Sequence, residues 1–204
     1  MSAPGALLTD FGGVLTTSVY ECFEDFCAAE GLPADHFVTV VGDHPEGRRL
    51  LAQVETGEIG EEEFEASLAP LLGPEVVAAG LVGRLTAALD PDPAMIATVA
   101  ELRRSGVRTV LVSNSLGYSP YEGWGLEQLF DAQVISGRAR VRKPSRRIYE
   151  LALAEAGVEA QQAVFVDDLQ HNVEAAGRLG MRAIHHTESE QTVGLLRQAF
   201  EIGV

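Results

Sequence analysis

Asp10 follows the apolar run Ala6-Leu7-Leu8 and precedes Phe11-Gly12-Gly13-Val14-Leu15. A buried strand that stops at a carboxylate and enters a glycine turn lets a ligand approach the backbone closely. The layout recurs. Val110-Leu111-Val112 runs into Ser113-Asn114, Ala163-Val164-Phe165-Val166 runs into Asp167-Asp168, and a basic stretch ends in Lys143-Pro144 before a helix. A carboxylate attacks phosphorus or an activated carbon to form a covalent intermediate that water later clears. Phosphoryl transfer needs little more than positioning and charge neutralisation. Asp10 with Asp168 is a natural oxygen-ligand pair for Mg²⁺, with the Gly12 carbonyl as a further ligand. Lys143 and Ser113 are suited to hold phosphate oxygens. Adjacent carboxylates such as Asp167 and Asp168, placed after a buried run, repel each other unless a cation or donor stands by.

These residues share a site only if the elements carrying them do. Residues 6–9, 107–112, about 132–136, 163–166 and 182–185 read as strands. Asp92-Pro93 starts a helix that Gly106 ends, and further helices cover 145–156, 170–179 and about 189–201. Alternation of this kind predicts an α/β fold, a Rossmann-like parallel sheet with helices on both faces. Ligands bind such sheets outside the carboxyl ends of the strands, where all four segments end. Residues 18–88 read differently, as helices over 18–30, 46–55, 61–71 and 74–88 with no strand between them. The acidic stretch Glu58 to Glu65 fits a helix amino end, where carboxylates oppose the dipole favourably. The expected organisation is a core of residues 1–16 and 89–204, with 17–88 as an inserted helical-bundle cap over the carboxyl ends.

Composition narrows the function classes. The 204 residues carry a formal net charge of −15, which opposes nonspecific binding to nucleic acid or to an anionic membrane. Hydrophobic residues make up 46%, so a packed core is expected rather than disorder. No apolar run approaches the roughly 20 residues of a membrane span, and Met1-Ser2-Ala3-Pro4-Gly5 lacks the pattern of a signal peptide. Cys22 and Cys27 are the two cysteines. They lie five apart on an amphipathic helix and are expected to be buried free thiols, which suits the cytoplasm. Arg138, Arg140, Arg142, Lys143, Arg146 and Arg147 cluster in this acidic chain. The arginines read as a solvated face with surface ion pairs, and Lys143 as the member that meets an anionic substrate.

Taken together, the four segments resemble the motifs of the haloacid dehalogenase superfamily, mostly phosphatases with a helical cap inserted after the first strand. Leu7 to Leu15 is similar to the first motif, Val112-Ser113-Asn114 to the second and Arg142-Lys143-Pro144 with Arg147-Ile148-Tyr149 to the third. Phe165 to Asp168 with Asn172 to Ala176 is similar to the fourth. The likeness spans essentially the whole chain. It points to a subgroup of small sugar-phosphate phosphatases and the phosphatase-like domain of epoxide hydrolases. The resemblance implies Asp10 as nucleophile, Ser113, Asn114 and Lys143 around the phosphate, and Asp10, Gly12 and Asp168 around Mg²⁺. Asp167 and Asn172 would support the metal site. The implied activity is Mg²⁺-dependent hydrolysis of a small phosphorylated metabolite, such as a sugar phosphate, by a monomer or homodimer.

One position departs from the pattern. The typical phosphatase has a second aspartate two residues after the nucleophile, as general acid and base; here Gly12 stands there. His44, Asp43 and His171 are weaker candidates for that proton transfer. Two alternatives follow: a metal-independent 2-haloacid dehalogenase, which also lacks the second aspartate, and a phosphate-ligand binding module with weakened catalysis. Asp10-Phe11-Gly12 also spells the kinase metal-binding triplet, but it lies at the amino end with no glycine-rich loop or His-Arg-Asp motif before it. Trp124 reads as a packing residue beside the loop after Ser113.

Overall fold

The computed structural model describes residues 4–202. Residues 1–3, part of the stretch read above for a signal peptide, and residues 203–204, assigned to the core, lie outside the described residues.

Five strands form one parallel sheet in the order β3-β2-β1-β4-β5: β1 (Ala6–Thr9), β2 (Arg108–Ser113), β3 (Ala132–Ile135), β4 (Ala163–Asp167) and β5 (Arg182–His185). Every residue of β1 is buried, as expected of a parallel strand covered on both faces. Alternate residues therefore feed two cores. Leu7, Leu111, Val164 and Val166 pack with Met95, Val99 and Leu102 of α6 (Pro93–Arg104) and with Leu196 and Phe200 of α11 (Ser189–Phe200). Leu8, Val110, Val112 and Phe165 pack on the other face. There they meet Ile148, Tyr149 and Ala152 of α9 (Arg146–Ala156) and Ala176 of α10 (Gln170–Arg178). The Asp92 carboxylate caps α6 by accepting from the Met95 N–H at 2.8 Å. Two short helices, α7 (Leu126–Leu129) and α8 (Ser136–Ala139), flank β3.

Between β1 and α6 lie α1 (Val19–Ala29), α2 (His36–Asp43), α3 (Pro45–Glu55), α4 (Glu61–Leu72) and α5 (Leu81–Leu85). They surround a third core that includes Phe26, Phe37, Leu50, Phe64, Leu68 and Leu81. Two features differ from the sequence reading. The helix α2 was not expected, because Val38, Thr39, Val40, Val41 and Gly42 are weak helix formers. Burial of Phe37, Val40 and Val41 outweighs that propensity. The helix expected over 74–88 shrinks to α5, which starts only after Gly80, in the left-handed conformation at φ 70°. Its amino end is held instead by the buried Glu65 carboxylate, which accepts from the N–H groups of Gly80 and Val82 at 3.1 and 2.9 Å. Glu61, Glu62 and Glu63 do occupy the first turn of α4. Cys22 and Cys27 are buried free thiols.

The helices α2 and α3 cross closely at Gly47, where a Cβ would overlap the Val40 carbonyl. Gly47→Ala is therefore expected to destabilise the protein by about 1–3 kcal/mol through overpacking. A urea midpoint equal to that of the parent would contradict this contact.

Candidate active site

Registers bring the sequence-predicted residues together. Thr9 pairs with Val166 across β1 and β4, so Asp10 and Asp167 emerge side by side at the carboxyl end of the sheet. The Asp10 N–H donates to the Val166 carbonyl at 2.9 Å. One Asp10 oxygen accepts from the Phe11 N–H at 2.7 Å. The other lies 2.7 Å from Lys143 Nζ, which stands 2.7 Å from Asp167 Oδ2 as well. Lys143 is 2% exposed. It comes from the irregular segment between α8 and α9, and Asn114 fixes that segment. The Asn114 amide donates to the Lys143 carbonyl at 3.2 Å and its oxygen accepts from the Lys143 N–H at 2.8 Å. Asn114 lines the cavity described below, but these bonds spend its side chain on positioning Lys143.

Asp167 is buried and fully engaged. Its second oxygen accepts from the Leu169 N–H and from Asn172 Nδ2, both at 2.9 Å. Asp168 turns instead toward the glycine turn, where a Cβ on Gly13 (φ 72°) would come within 2.5 Å of Asp168 Oδ2. Only glycine allows both that backbone conformation and that approach. Asp10, Asp167 and Asp168 offer oxygens that all lie within 4.8 Å of one another. Burial pushes the Asp10 carboxyl well above its ordinary range; Lys143 pulls it down, while Asp167 and Asp168 push it further up. Burial and then the charge of Asp167 raise Asp168 to about 6. Lys143 is raised overall, because its two carboxylate partners outweigh desolvation. Two carboxylates thus share one ammonium, with a third, Asp168, beside them. Asn172 Oδ1, also buried, has no hydrogen-bond partner. An oxygen-rich, electron-rich pocket of this kind fits a hard divalent cation.

A model of haloacid dehalogenase-like hydrolases matches residues 4–180. The chain belongs to this family. The sesquiterpene phosphatase of Aspergillus oryzae is 32% identical over 154 residues, which are 72% of this chain and 76% of that protein. A glyceraldehyde 3-phosphate phosphatase of Methanopyrus kandleri is 33% identical over 115 residues, which are 53% of this chain and about half (49%) of that enzyme. Among solved structures, a HAD family enzyme of Bacteroides thetaiotaomicron superposes with a TM-score of 0.76 at 22% identity. The match covers 96% of this chain and all of that one. That enzyme has also been crystallised with magnesium and inorganic phosphate. At this identity the superposition speaks for the fold.

Within this HAD-like hydrolase, a cavity of about 330 Å³ opens onto Asp10, Gly12, Ser113, Asn114, Lys143, Asp168 and Asn172. Ser113, 3% exposed, lies 2.8 Å from the Tyr121 hydroxyl. An acid at position 12 would require Val19 to give way: a Cβ there would meet Val19 Cγ1 at 2.5 Å. Asp43, His44 and His171 are not among the cavity-lining residues. The arginines of the basic cluster are engaged within the protein: Arg142 with Glu55 at the cavity wall, Arg140 with the Gly57 carbonyl, and Arg146 and Arg147 with Glu150. Phe11 packs edge-on against Trp124, with ring centroids 4.9 Å apart, and against Tyr121 at 5.2 Å. Trp124 therefore anchors the loop after β2 beside the nucleophile segment. Among the polar lining residues that the sequence reading did not single out are Tyr121 and Glu55. Glu55 follows Leu51 by one helical turn, and both line the cavity; that spacing was the available signal. No helix among the described residues is long and apolar enough to cross a membrane.

Proposed function

We propose that the chain is a Mg²⁺-dependent phosphatase that hydrolyses a small phosphorylated metabolite through an aspartyl-phosphate on Asp10. The observation that carries this reading is the meeting of Asp10 and Asp167 on a single buried ammonium, with Asp168 clustered beside them, at the cavity floor. Asp10, Asp168 and the Gly12 carbonyl would hold the ion, supported by Asp167 and Asn172. The unpartnered Asn172 oxygen supports that assignment. Bound there, Mg²⁺ supplies the positive charge that phosphoryl transfer requires. An Asp10 oxygen attacks phosphorus, and the bond from phosphorus to the ester oxygen breaks. Lys143 and Ser113 hold the phosphoryl oxygens, and Asn114 acts through Lys143. Water then attacks the phosphorus of the aspartyl-phosphate, freeing Asp10 and inorganic phosphate. Residues 17–88 act as the cap that shields this chemistry from bulk solvent.

With Gly12 in place, the leaving alcohol takes its proton from water. Loss of a positioned acid costs about 10²- to 10⁴-fold, so among esters that fit the cavity equally well, those with better leaving groups are turned over faster. A metal-free dehalogenase is disfavoured on charge. Three carboxylates against one ammonium repel an anionic haloacid unless a cation joins them. We place the enzyme in the cytoplasm, as a monomer or homodimer. Phosphate release from a panel of phosphorylated metabolites, with and without Mg²⁺, tests this reading. Metal-dependent release is expected. Chelator-insensitive halide release from 2-chloropropionate, with no phosphate release, would replace it.

Mg²⁺ should also change stability in a pH-dependent way. Asp168 titrates at about 6 in the fold against an ordinary 3.8. A raised carboxyl favours the folded state fully at pH values below its ordinary value, and that contribution is lost as pH rises through 6. Mg²⁺ binds the ionised form, so it should raise the unfolding temperature more at about pH 7.5 than at about pH 5. Equal shifts at both pH values, followed by scanning fluorimetry, would argue against Asp168 as a ligand.

A further inference from the structure

We infer that the substrate is a phosphate monoester of an aliphatic alcohol, with its hydrocarbon chain lying in the cavity above Asp10; this inference rests on the phosphatase reading. The charged floor of the cavity suits a phosphate, but its walls do not suit a sugar. Val19 and Phe23 from α1, Phe37, Val38 and Val41 from α2, and Leu51 from α3 form one side. Leu116 and Pro120 add to the lining from the loop after β2. Phe23 and Phe37 lie with ring centroids 4.4 Å apart.

The polar side chains in these walls are already engaged within the protein. Glu55 pairs with Arg142. The Thr86 hydroxyl donates to the Val82 carbonyl at 2.9 Å. The Tyr121 hydroxyl is bound to Ser113, and the Asn114 side chain is bound at both ends to the Lys143 backbone. Tyr20 brings a further hydroxyl but is 42% exposed. A hexose would bring several hydroxyls into this space and lose its water partners there. Each one left unpaired weakens binding about tenfold. A hydrocarbon chain loses nothing of that kind. Each buried methylene gains about fourfold, or 0.8 kcal/mol. At about 30 Å³ per water-sized group, the 330 Å³ cavity holds about eleven groups; with about two taken by the phosphate on the floor, roughly eight to nine carbons remain.

In the reaction the phosphorus–oxygen bond breaks, the phosphoryl group passes to Asp10 and then to water, and the alcohol leaves with a proton from water. The test uses the full chain with Mg²⁺ and compares kcat/KM for ethyl, butyl, hexyl, octyl and decyl phosphate with that for a hexose 6-phosphate. The value should climb two- to fourfold per methylene and level off near octyl or decyl, with the hexose ester at least about a hundredfold below octyl. A flat series, or a hexose ester matching octyl phosphate, would overturn the inference while leaving the phosphatase reading in place. Calorimetric binding of alkyl phosphonates, which are not hydrolysed, separates the two readings. Chain-length-dependent binding without turnover of any ester would leave the apolar site standing and remove the phosphatase. Absence of chain-length dependence in both assays would overturn the inference. Leu51→Asn should reduce the octyl-to-ethyl ratio of kcat/KM at least tenfold; an unchanged ratio would place the chain elsewhere.

Discussion

Asp10→Asn is expected to lower phosphate release by at least about 10⁴-fold, the scale on which loss of a nucleophile is felt, and to leave the protein folded. Asparagine has nearly the shape of aspartate, and its amide oxygen can still accept from the Phe11 N–H. What it loses is the anionic oxygen now 2.7 Å from Lys143 Nζ, the attacking atom in the proposed reaction. Lys143 keeps Asp167 as a partner. The substitution also removes one of three clustered carboxylates. Repulsion and desolvation both press on the Asp10 carboxyl, so the variant's unfolding temperature should equal or exceed the parent's above neutral pH. Retained turnover in folded protein would remove Asp10 as the nucleophile. A lost fold would show that its negative charge is needed for stability instead.

Lys143→Met carries the largest expected loss of stability. Its ammonium is the group that compensates Asp10 and Asp167 inside the protein. Removing one partner of a buried ion pair typically costs about 3–5 kcal/mol, because the other charge stays behind unpaired. Here two carboxylates are left, with Asp168 beside them. The loss should be greater near pH 8 than near pH 5, since the Asp10 and Asp168 carboxyls, which burial already raises, take up protons at the lower pH. Added Mg²⁺ should restore part of the stability by substituting for the lost charge. Arginine is a poor replacement. Its planar fork needs room that a 2% exposed position does not offer. Denaturant midpoints at the two pH values check this, and a pH-independent loss below about 1 kcal/mol would contradict a buried charge network.

The two halves of the molecule were unequally legible in the sequence. Strands β1, β2 and β4 are short apolar runs ending at Asp10, Ser113 and Asp167-Asp168, so the site declared itself through the chemistry that follows each strand. Parallel pairing then brings those ends together, with Thr9 opposite both Leu111 and Val166. The helices of the insert were harder to read. The helix α2 is built from β-branched residues and is held by burial rather than propensity. The helix α5 depends on Glu65, fifteen residues before Gly80, and no local pattern reveals that contact. The family resemblance implies Asn114 at the phosphate. Its actual bonds run to Lys143, twenty-nine residues on, and such long-range hydrogen bonds leave no trace in spacing. The character of the cavity was hidden for the same reason: Phe23, Phe37, Val41 and Leu51 look like ordinary core positions until three helices turn them toward Asp10.

The covalent step is the centre of the account, and it can be observed directly. The full chain, mixed with Mg²⁺ and an excess of octyl or aryl phosphate, is quenched in acid during turnover and digested, and the peptides are weighed by mass spectrometry. One added phosphoryl group is expected on the peptide containing Asp10, present during turnover and gone once substrate is exhausted. Steady phosphate release with that peptide unmodified, or with the phosphoryl group on another residue, would contradict it.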